Sequence, residues 1–225
     1  MKCRKAGTRM PFMLLIFLFS FFLCACGQKQ VEEVEWVPRD TSLIEEEDGT
    51  LTEMIFDQLD RSYYSQSELQ AQVQAAINEY NSSAKATGPS AISMDEIVSE
   101  GYNIVLTLHY ASWKDYQAFN DIPAFYGSML EAEMAHFRFS GDFYAVEDGK
   151  IKGDKMSYEV PLSHKEYLVM IADASYTVSV PNNIVYISGN AAPVNSHVAK
   201  AVVPQEEQAG SKNKQNLIYV VYDYF

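Results

Sequence analysis

The stretch Tyr102-Asn-Ile-Val-Leu-Thr-Leu-His-Tyr110 decides the fold of this chain. Apolar residues occupy every second position, at 102, 104, 106, 108 and 110, and mostly polar residues stand between them. Alternation with a period of two is typical of a β-strand that buries one face and exposes the other. We therefore predict a half-buried strand at residues 102–110.

Two segments that precede this strand are candidate partners for it. Residues 50–59 fit a strand or a helix almost equally well, and the turn signal Asp48-Gly49 in front of them favours a strand. Residues 92–98 suggest a hairpin partner, although Ser93-Met-Asp-Glu96 could instead cap a short helix.

Three helices are predicted, two of them from capping residues. Ser65-Gln-Ser-Glu68 has the spacing of a capping box, and apolar residues then recur at the helical period, which predicts a helix at residues 66–82. Ser112-Trp-Lys-Asp115 is another capping signal and predicts a short helix at 113–120. A further short helix is predicted around residues 128–135.

From residue 137 onward the pattern is rich in strands. Asp148-Gly149 predicts a hairpin turn after residues 143–146, and residues 156–162 also alternate. Residues 176–180 and 184–188 are predicted to form one more hairpin across Pro181-Asn182-Asn183.

The end of the chain completes the predicted fold. Residues 167–171 form an apolar run, residues 204–216 have the composition of a flexible loop, and residues 217–224 predict a last strand rich in aromatic residues. The fold class is therefore α+β, with early amphipathic helices packed on a mainly antiparallel, strand-rich C-terminal half.

Composition and charge exclude some classes of function. The 225 residues are 48% hydrophobic and 21% charged, as in an ordinary globular protein, and the net charge is −13. Without residues 1–25, 13 basic residues face 30 acidic ones. A charge of this sign repels phosphate backbones, so nucleic-acid binding is not expected. The acidity indicates a solvated surface, or else an acidic inhibitor or immunity protein that covers a basic target.

The N-terminus has the order of a secretory signal peptide. Residues 1–9 are basic, residues 11–23 are almost wholly apolar, and Ala25 is small. An apolar run of this length is shorter than the roughly 20 residues that span a bilayer, which disfavours a permanent transmembrane helix.

Leu23-Cys24-Ala25-Cys26 resembles the lipobox of bacterial lipoproteins, in which a cysteine after a small residue is acylated and becomes the new N-terminus. Cys24 stands where an Ala, Ser or Thr is usual; as the acceptor itself it would place bulky Leu23 at the cleavage point. The resemblance implies lipidation of Cys26 and a lipid anchor on the extracytoplasmic face of the cell membrane. All three cysteines lie at or before Cys26, so we expect no internal disulfide and no cysteine-based metal site.

We predict three parts in the chain. Residues 1–25 are the signal peptide, residues 26–49 are the lipidated cysteine and an acidic tether, and residues 50–225 are a single α+β domain. The acidic tether, Tyr63-Tyr64-Ser65 before a helix, and the segment 114–120 together resemble uncharacterised lipoproteins of Gram-positive, clostridia-type bacteria. That resemblance implies a compartment, the cell envelope, and carries no activity.

The motifs of familiar enzymes are incomplete. Ser82-Ser-Ala-Lys85 and Ser188-Gly-Asn190 match two of the three motifs of penicillin-binding enzymes, but the chain contains no Lys-Thr-Gly. Glu133 and His136 could face each other on a helix as metal ligands, without visible third and fourth ligands. We therefore predict no catalytic residues, metal site or cofactor, and leave open a hydrolase or transferase with an unrecognised site.

Aromatic residues are the enriched class, and several crowd into residues 110–126. If exposed, Trp113 and Tyr116 are candidate binding residues that could stack on sugar rings or anchor a protein. If buried, they belong to the core, which their helical spacing favours. The function that follows is a lipid-anchored, non-enzymatic envelope protein whose partner is a protein or a cell-wall glycan.

Overall fold

The computed structural model describes residues 36–59, 65–95, 97–202 and 216–224. Residues Pro38–Phe225 form one compact unit. Among the described residues, no helix has both the length and the apolar character that crossing a membrane requires. The described secondary structure is strand-rich α+β, with two mostly antiparallel sheets.

The first sheet is built around the predicted strand at 102–110, which is observed as β5. β5 lies between β2 on one side and β3 and β4 on the other, and all three pair with it antiparallel. The eight strands of this sheet are β1 (Ser42–Glu45), β2 (Leu51–Gln58), β3 (Ile92–Met94), β4 (Val98–Glu100), β5 (Asn103–Tyr110), β10 (Thr177–Ser179), β12 (Ala191–Pro193) and β13 (Val198–Ala201).

The second sheet has six strands, which are β6 (Phe125–Ser128), β7 (Asp142–Glu147), β8 (Lys150–Ser157), β9 (Leu168–Asp173), β11 (Ile184–Ser188) and β14 (Leu217–Tyr222). Their order is β6-β9-β14-β11-β7-β8, and all the pairs are antiparallel. The edge strand β8 is almost wholly exposed and carries three lysines.

Four helices complete the described structure, and caps begin three of them. The Ser65, Ser112 and Ser128 hydroxyls each accept a hydrogen bond from a backbone N–H of the first turn. The helices are α1 (Gln66–Asn81), α2 (Trp113–Asn120), α3 (Met129–Met134) and α4 (Glu159–Ser163).

Two hydrophobic clusters hold these elements together. The larger lies between the sheets and combines residues such as Leu43 and Leu108 of the first sheet with Met170 and Val220 of the second. The smaller lies on the other face of the six-stranded sheet, where α3 and residues 135–139 cover it. Along β14, even-numbered residues join the first cluster and odd-numbered residues the second, as the period of a strand requires.

The predicted tether at 26–49 extends too far. Its residues 42–45 form β1, which lies inside the eight-stranded sheet between β2 and β10. β1 is only four residues long, and the acidic residues Glu46-Glu47-Asp48 follow it directly. The sequence therefore offers too few alternating positions for the strand to be recognised. The strand-rich part is likewise not confined to the C-terminal half, because β1 to β5 all lie before residue 111.

The predicted hairpin of residues 176–180 and 184–188 is wrong. Its two strands are β10 and β11, and they belong to different sheets. Pro181-Asn182-Asn183 carries the chain from one sheet to the other, and Asn183 N–H donates to Asp223 Oδ1 at 3.0 Å. Both segments alternate in sequence and contribute to the same cluster, although β11 contributes Ile184 and Ile187, which are three residues apart across a bulge. Alternation alone could not assign the two strands to separate sheets.

The alternation at 156–162 predicts a strand where the structure has two elements. β8 ends at Ser157 and α4 begins at Glu159. Pro161 lies in the first turn of α4, where a missing N–H costs the helix nothing. The proline was the signal against a continuous strand. The loop predicted at 204–216 lies outside the described residues, except for Asn216.

Candidate functional site

Tyr116, one of the two predicted binding residues, belongs to the core. Its side chain is 1% exposed and packs edge-on against Tyr110, with ring centroids 5.2 Å apart. Trp113 is half-buried and packs against Phe125 at 5.1 Å, while the Lys114 ammonium lies 5.5 Å from the Trp113 ring. The helical spacing of these aromatic residues therefore reflects core packing around α2.

The side chains of Glu133 and His136, which their spacing offers as possible metal ligands, make no hydrogen bond or ion pair with each other among the described residues. The Glu133 carboxylate instead accepts a hydrogen bond from Lys165 Nζ at 2.9 Å. Within the described ranges, no three His, Cys, Asp or Glu side chains form a group that could hold a metal ion. The two residues are separated by the end of α3, where the backbone turns away from the helix.

His136 ends helix α3 in the left-handed conformation, with φ of 67°. The His136 N–H donates to Glu133 O and the Phe137 N–H donates to Ala132 O, both at 3.0 Å. This is the Schellman pattern, in which the left-handed position is usually glycine. A side chain there costs about 1 kcal/mol relative to glycine.

The segment that follows this cap separates two concavities, which we name the Arg138 groove and the side pocket. The groove has a volume of about 1300 Å³, and the side pocket about 570 Å³. Groove residues are His136, Phe137, Arg138, Ser140, Gly141, Asp142, Tyr144, Ser188, Gly189, Asn190, Asn216, Leu217 and Tyr219. Side-pocket residues are Glu133, His136, Phe137, Arg138, Phe139, Tyr158 and Leu162.

Internal hydrogen bonds hold the groove in shape. Tyr219 O–H donates to Arg138 O at 2.9 Å, which ties the segment after α3 to β14. Ser188 Oγ donates to Asn190 Oδ1 at 2.7 Å, and Asn190 Nδ2 donates to Leu217 O at 3.0 Å, which joins the ends of β11 and β14. The groove is therefore preformed, as ligand sites usually are.

Two nitrogen-bearing side chains of the groove remain unengaged. Among the described residues, the Arg138 guanidinium and the His136 imidazole make no hydrogen bond or ion pair. The nearby carboxylate of Asp142 is paired with Lys155 at 2.8 Å. The groove thus offers a guanidinium whose donors are free for a ligand.

Sequence reasoning did not find this site because its residues come from four distant segments. Arg138 follows α3, Asp142 and Tyr144 begin β7, Asn190 follows β11 and Tyr219 lies on β14. The one available signal was a histidine at the end of a predicted short helix, where glycine is the usual residue.

A second polar cluster lies on the outer face of the eight-stranded sheet. The Thr52 hydroxyl lies 3.1 Å from His109 Nδ1, and His109 Nε2 lies 3.0 Å from Asp95 Oδ2. These distances suit a nucleophile, a base and an orienting carboxylate. However, the Thr52 hydroxyl also donates its single proton to Glu46 Oε1 at 2.7 Å, and Thr52 is only 7% exposed. The Thr52 hydroxyl therefore has no proton directed toward His109, whereas a general-base mechanism requires one.

Two carboxylates are buried between the sheets. Glu45 is 7% exposed and accepts hydrogen bonds from Tyr222 O–H at 2.7 and 2.6 Å. Glu53 is 1% exposed and accepts from Tyr110 O–H at 2.6 Å and Tyr176 O–H at 2.7 Å. Burial raises the pKa of Glu45 to about 7 against the lowering effect of Tyr222, and burial also raises the pKa of Glu53. Both glutamates lie within the core, so they are unsuited to act on a ligand in the groove.

Comparison with protein-family models, with curated proteins and with solved structures finds no match to this chain. The candidate site is accordingly defined by geometry: a preformed groove, the free Arg138 guanidinium and the half-buried rings of Tyr144 and Tyr219.

Proposed function

We propose that this chain is a lipid-anchored protein on the extracytoplasmic face of the cell membrane, and that its folded unit is a non-enzymatic binding module. The lipobox-like residues 23–26 support the anchor, because they follow a basic and then an apolar segment in the order of a lipoprotein signal. The proposed ligand site is the Arg138 groove.

Binding is supported by which polar groups of the groove are already hydrogen-bonded and which are not. Its hydroxyl and amide groups at Tyr219, Ser188 and Asn190 are engaged in holding the walls together, and Asp142 is paired with Lys155. Among the described residues, the unengaged nitrogen-bearing groups of the groove are the His136 imidazole and the Arg138 guanidinium, and the guanidinium binds anions without acting as a proton-transfer base. A wall held by internal hydrogen bonds, with an exposed guanidinium beside it, suits recognition of an anionic group.

A hydrolase or transferase of the cell envelope is the second candidate, and the Thr52, His109 and Asp95 cluster is the observation that favours it. Against it, Thr52 donates its proton to Glu46. Hydrolysis of an acyl ester that Thr52→Val abolishes would establish this candidate and remove the non-enzymatic part of the proposal.

Cys26→Ala tests the anchor. The wild-type chain is expected in the membrane and detergent fractions, because two acyl chains each bury many methylenes at about 0.8 kcal/mol apiece. The variant should remain as uncleaved precursor or become soluble. The decisive measurement is mass spectrometry of the mature wild-type N-terminus, and an unmodified N-terminus at any other residue contradicts the proposal. Cys24→Ala is the matched control and should keep the anchor.

Hydrogen–deuterium exchange of the full chain tests the binding half. With a solubilised cell-envelope polymer fraction present, we expect slower amide exchange at residues 136–142 and 188–190. The outer-face strand residues around His109 are the internal control and should exchange at an unchanged rate. Protection confined to the outer face would contradict the assignment of the groove.

A further inference from the structure

The Arg138 groove and the side pocket share one wall, and the chemistry of that wall suggests a ligand. His136, Phe137 and Arg138 border both concavities. A ligand long enough to occupy both must therefore pass over these three side chains. This geometry favours an extended chain over a compact small molecule.

Charge restricts that chain further. Among the described residues, the side chains of Arg138 and His136 have no partner and can bind acidic groups, whereas the whole chain carries a net charge of −13. A polymer with closely spaced charges would be repelled by the rest of the surface. A chain with isolated acidic groups meets that repulsion only weakly and still gains the charge-assisted hydrogen bonds of a guanidinium.

The other lining residues match a saccharide. Half-buried rings lie in both concavities, with Tyr144 in the groove and Tyr158 in the side pocket. The Tyr219 ring also borders the groove and packs on its other side against Phe139, with ring centroids 5.0 Å apart. Aromatic rings provide large flat contacts for the apolar faces of sugar rings. The exposed Ser140 hydroxyl lies in the same groove and provides a polar contact for a sugar hydroxyl.

We propose that the Arg138 groove and the side pocket hold an extended saccharide that carries isolated carboxylates, with one carboxylate bound by the Arg138 guanidinium. The inference rests on the proposed binding function of this groove and names its ligand class. His136 lies beside the same position and contributes a second contact, which explains a histidine where the backbone would accept glycine at lower cost.

Two disaccharides that differ by one lactyl ether group, which carries the carboxylate, test the inference. The full chain in mild detergent is titrated calorimetrically with N-acetylglucosaminyl-N-acetylmuramic acid and with diacetylchitobiose, the same amino-sugar pair without the lactyl carboxylate. We expect the acidic disaccharide to bind at least about tenfold more tightly, because a hydrogen-bonded pair of opposite charges strengthens binding by about that factor. Equal affinities for the two disaccharides would overturn the inference.

Variants separate recognition from folding. Arg138→Gln should remove the preference for the acidic disaccharide, whereas Arg39→Gln, which changes an exposed arginine outside both concavities, should retain it. His136→Gly should weaken binding without lowering the melting temperature, because glycine suits the left-handed position. Unchanged binding in Arg138→Gln would overturn the inference.

Other ligands define the remaining outcomes. Binding of the acidic peptide Gly-Gly-Glu that depends on Arg138, together with no binding of the acidic disaccharide, would replace the saccharide by a peptide. If neither probe binds and envelope polymers still slow amide exchange at 136–142, the saccharide inference fails while the proposed binding function stands. If no polymer slows exchange there, both fail.

Discussion

Asp115→Ala is expected to destabilise the protein by about 3–5 kcal/mol, since it leaves several donors without an acceptor in a buried site. The Asp115 residue is 0% exposed, and its carboxylate accepts from Ser112 Oγ and Thr87 Oγ1, both at 2.6 Å. Tyr80 O–H at 3.1 Å and Thr87 N–H at 3.0 Å donate to the other oxygen. The carboxylate thereby joins α1, the loop after it and the cap of α2.

The direction of the pKa agrees with this network. Burial alone would raise the pKa of Asp115, but the hydrogen bonds from Ser112, Thr87 and Tyr80 outweigh burial and lower it.

Urea unfolding at neutral pH measures the free energy of unfolding of the Asp115→Ala variant. Asp115→Asn keeps one acceptor oxygen, so its free energy of unfolding should fall by about half as much as that of Asp115→Ala. This variant should stay folded and can be measured even if Asp115→Ala does not fold. Glu79→Ala, an exposed carboxylate on α1, is the control and should change stability by less than about 0.5 kcal/mol. A loss in Asp115→Ala no larger than in this control would contradict the prediction.

Stability is expected to fall between about pH 5 and pH 8 by about 2–3 kcal/mol through Glu45 alone. Burial raises the pKa of Glu45 to about 7 in the folded protein, whereas the unfolded chain ionises near 4.5. The folded state therefore holds a proton that the unfolded state has lost, so the contribution is full below pH 4.5 and is lost as the pH rises toward 7. Glu53 acts in the same direction, because burial raises its pKa as well.

Glu45→Gln isolates this contribution. Glutamine keeps an oxygen that accepts from Tyr222 and cannot ionise, so the variant should lose about 2–3 kcal/mol less than wild type over the same pH interval. Denaturant unfolding at several pH values gives the two curves. The exposed carboxylate variant Glu79→Gln should follow the wild-type curve. Parallel curves for wild type and Glu45→Gln would show that Glu45 ionises normally in the fold.

Local signals predicted the individual elements well. Alternation located β5, and the serine caps located α1 and α2 to within a few residues. These signals act between residues that are near in sequence, so one sequence is enough to detect them. Sheet membership is different, because β10 and β11 both alternate and only tertiary pairing places them in separate sheets.

The candidate site could not be predicted for a related reason. The sequence identifies Trp113 and Tyr116 as part of an aromatic cluster. Tyr116 is buried in the core, as its helical spacing indicates. Arg138 stood alone in the sequence, and its groove exists only where the ends of β7, β11 and β14 meet. A site built from the ends of separate strands leaves no regular spacing in the sequence, whereas a helix cap or a heptad repeat does.

The insertion of β1 between β2 and β10 determines when the domain can finish folding. Ser42 pairs with Met54 nearby in the chain, but also with Thr177, which is synthesised much later. The growing chain can therefore form the β1–β2 hairpin early and must leave the other edge of β1 uncovered until Thr177–Ser179 arrive. Such distant pairing slows folding and exposes an edge to other chains in the meantime. Cellular yield should consequently depend on whatever shields that open edge during synthesis.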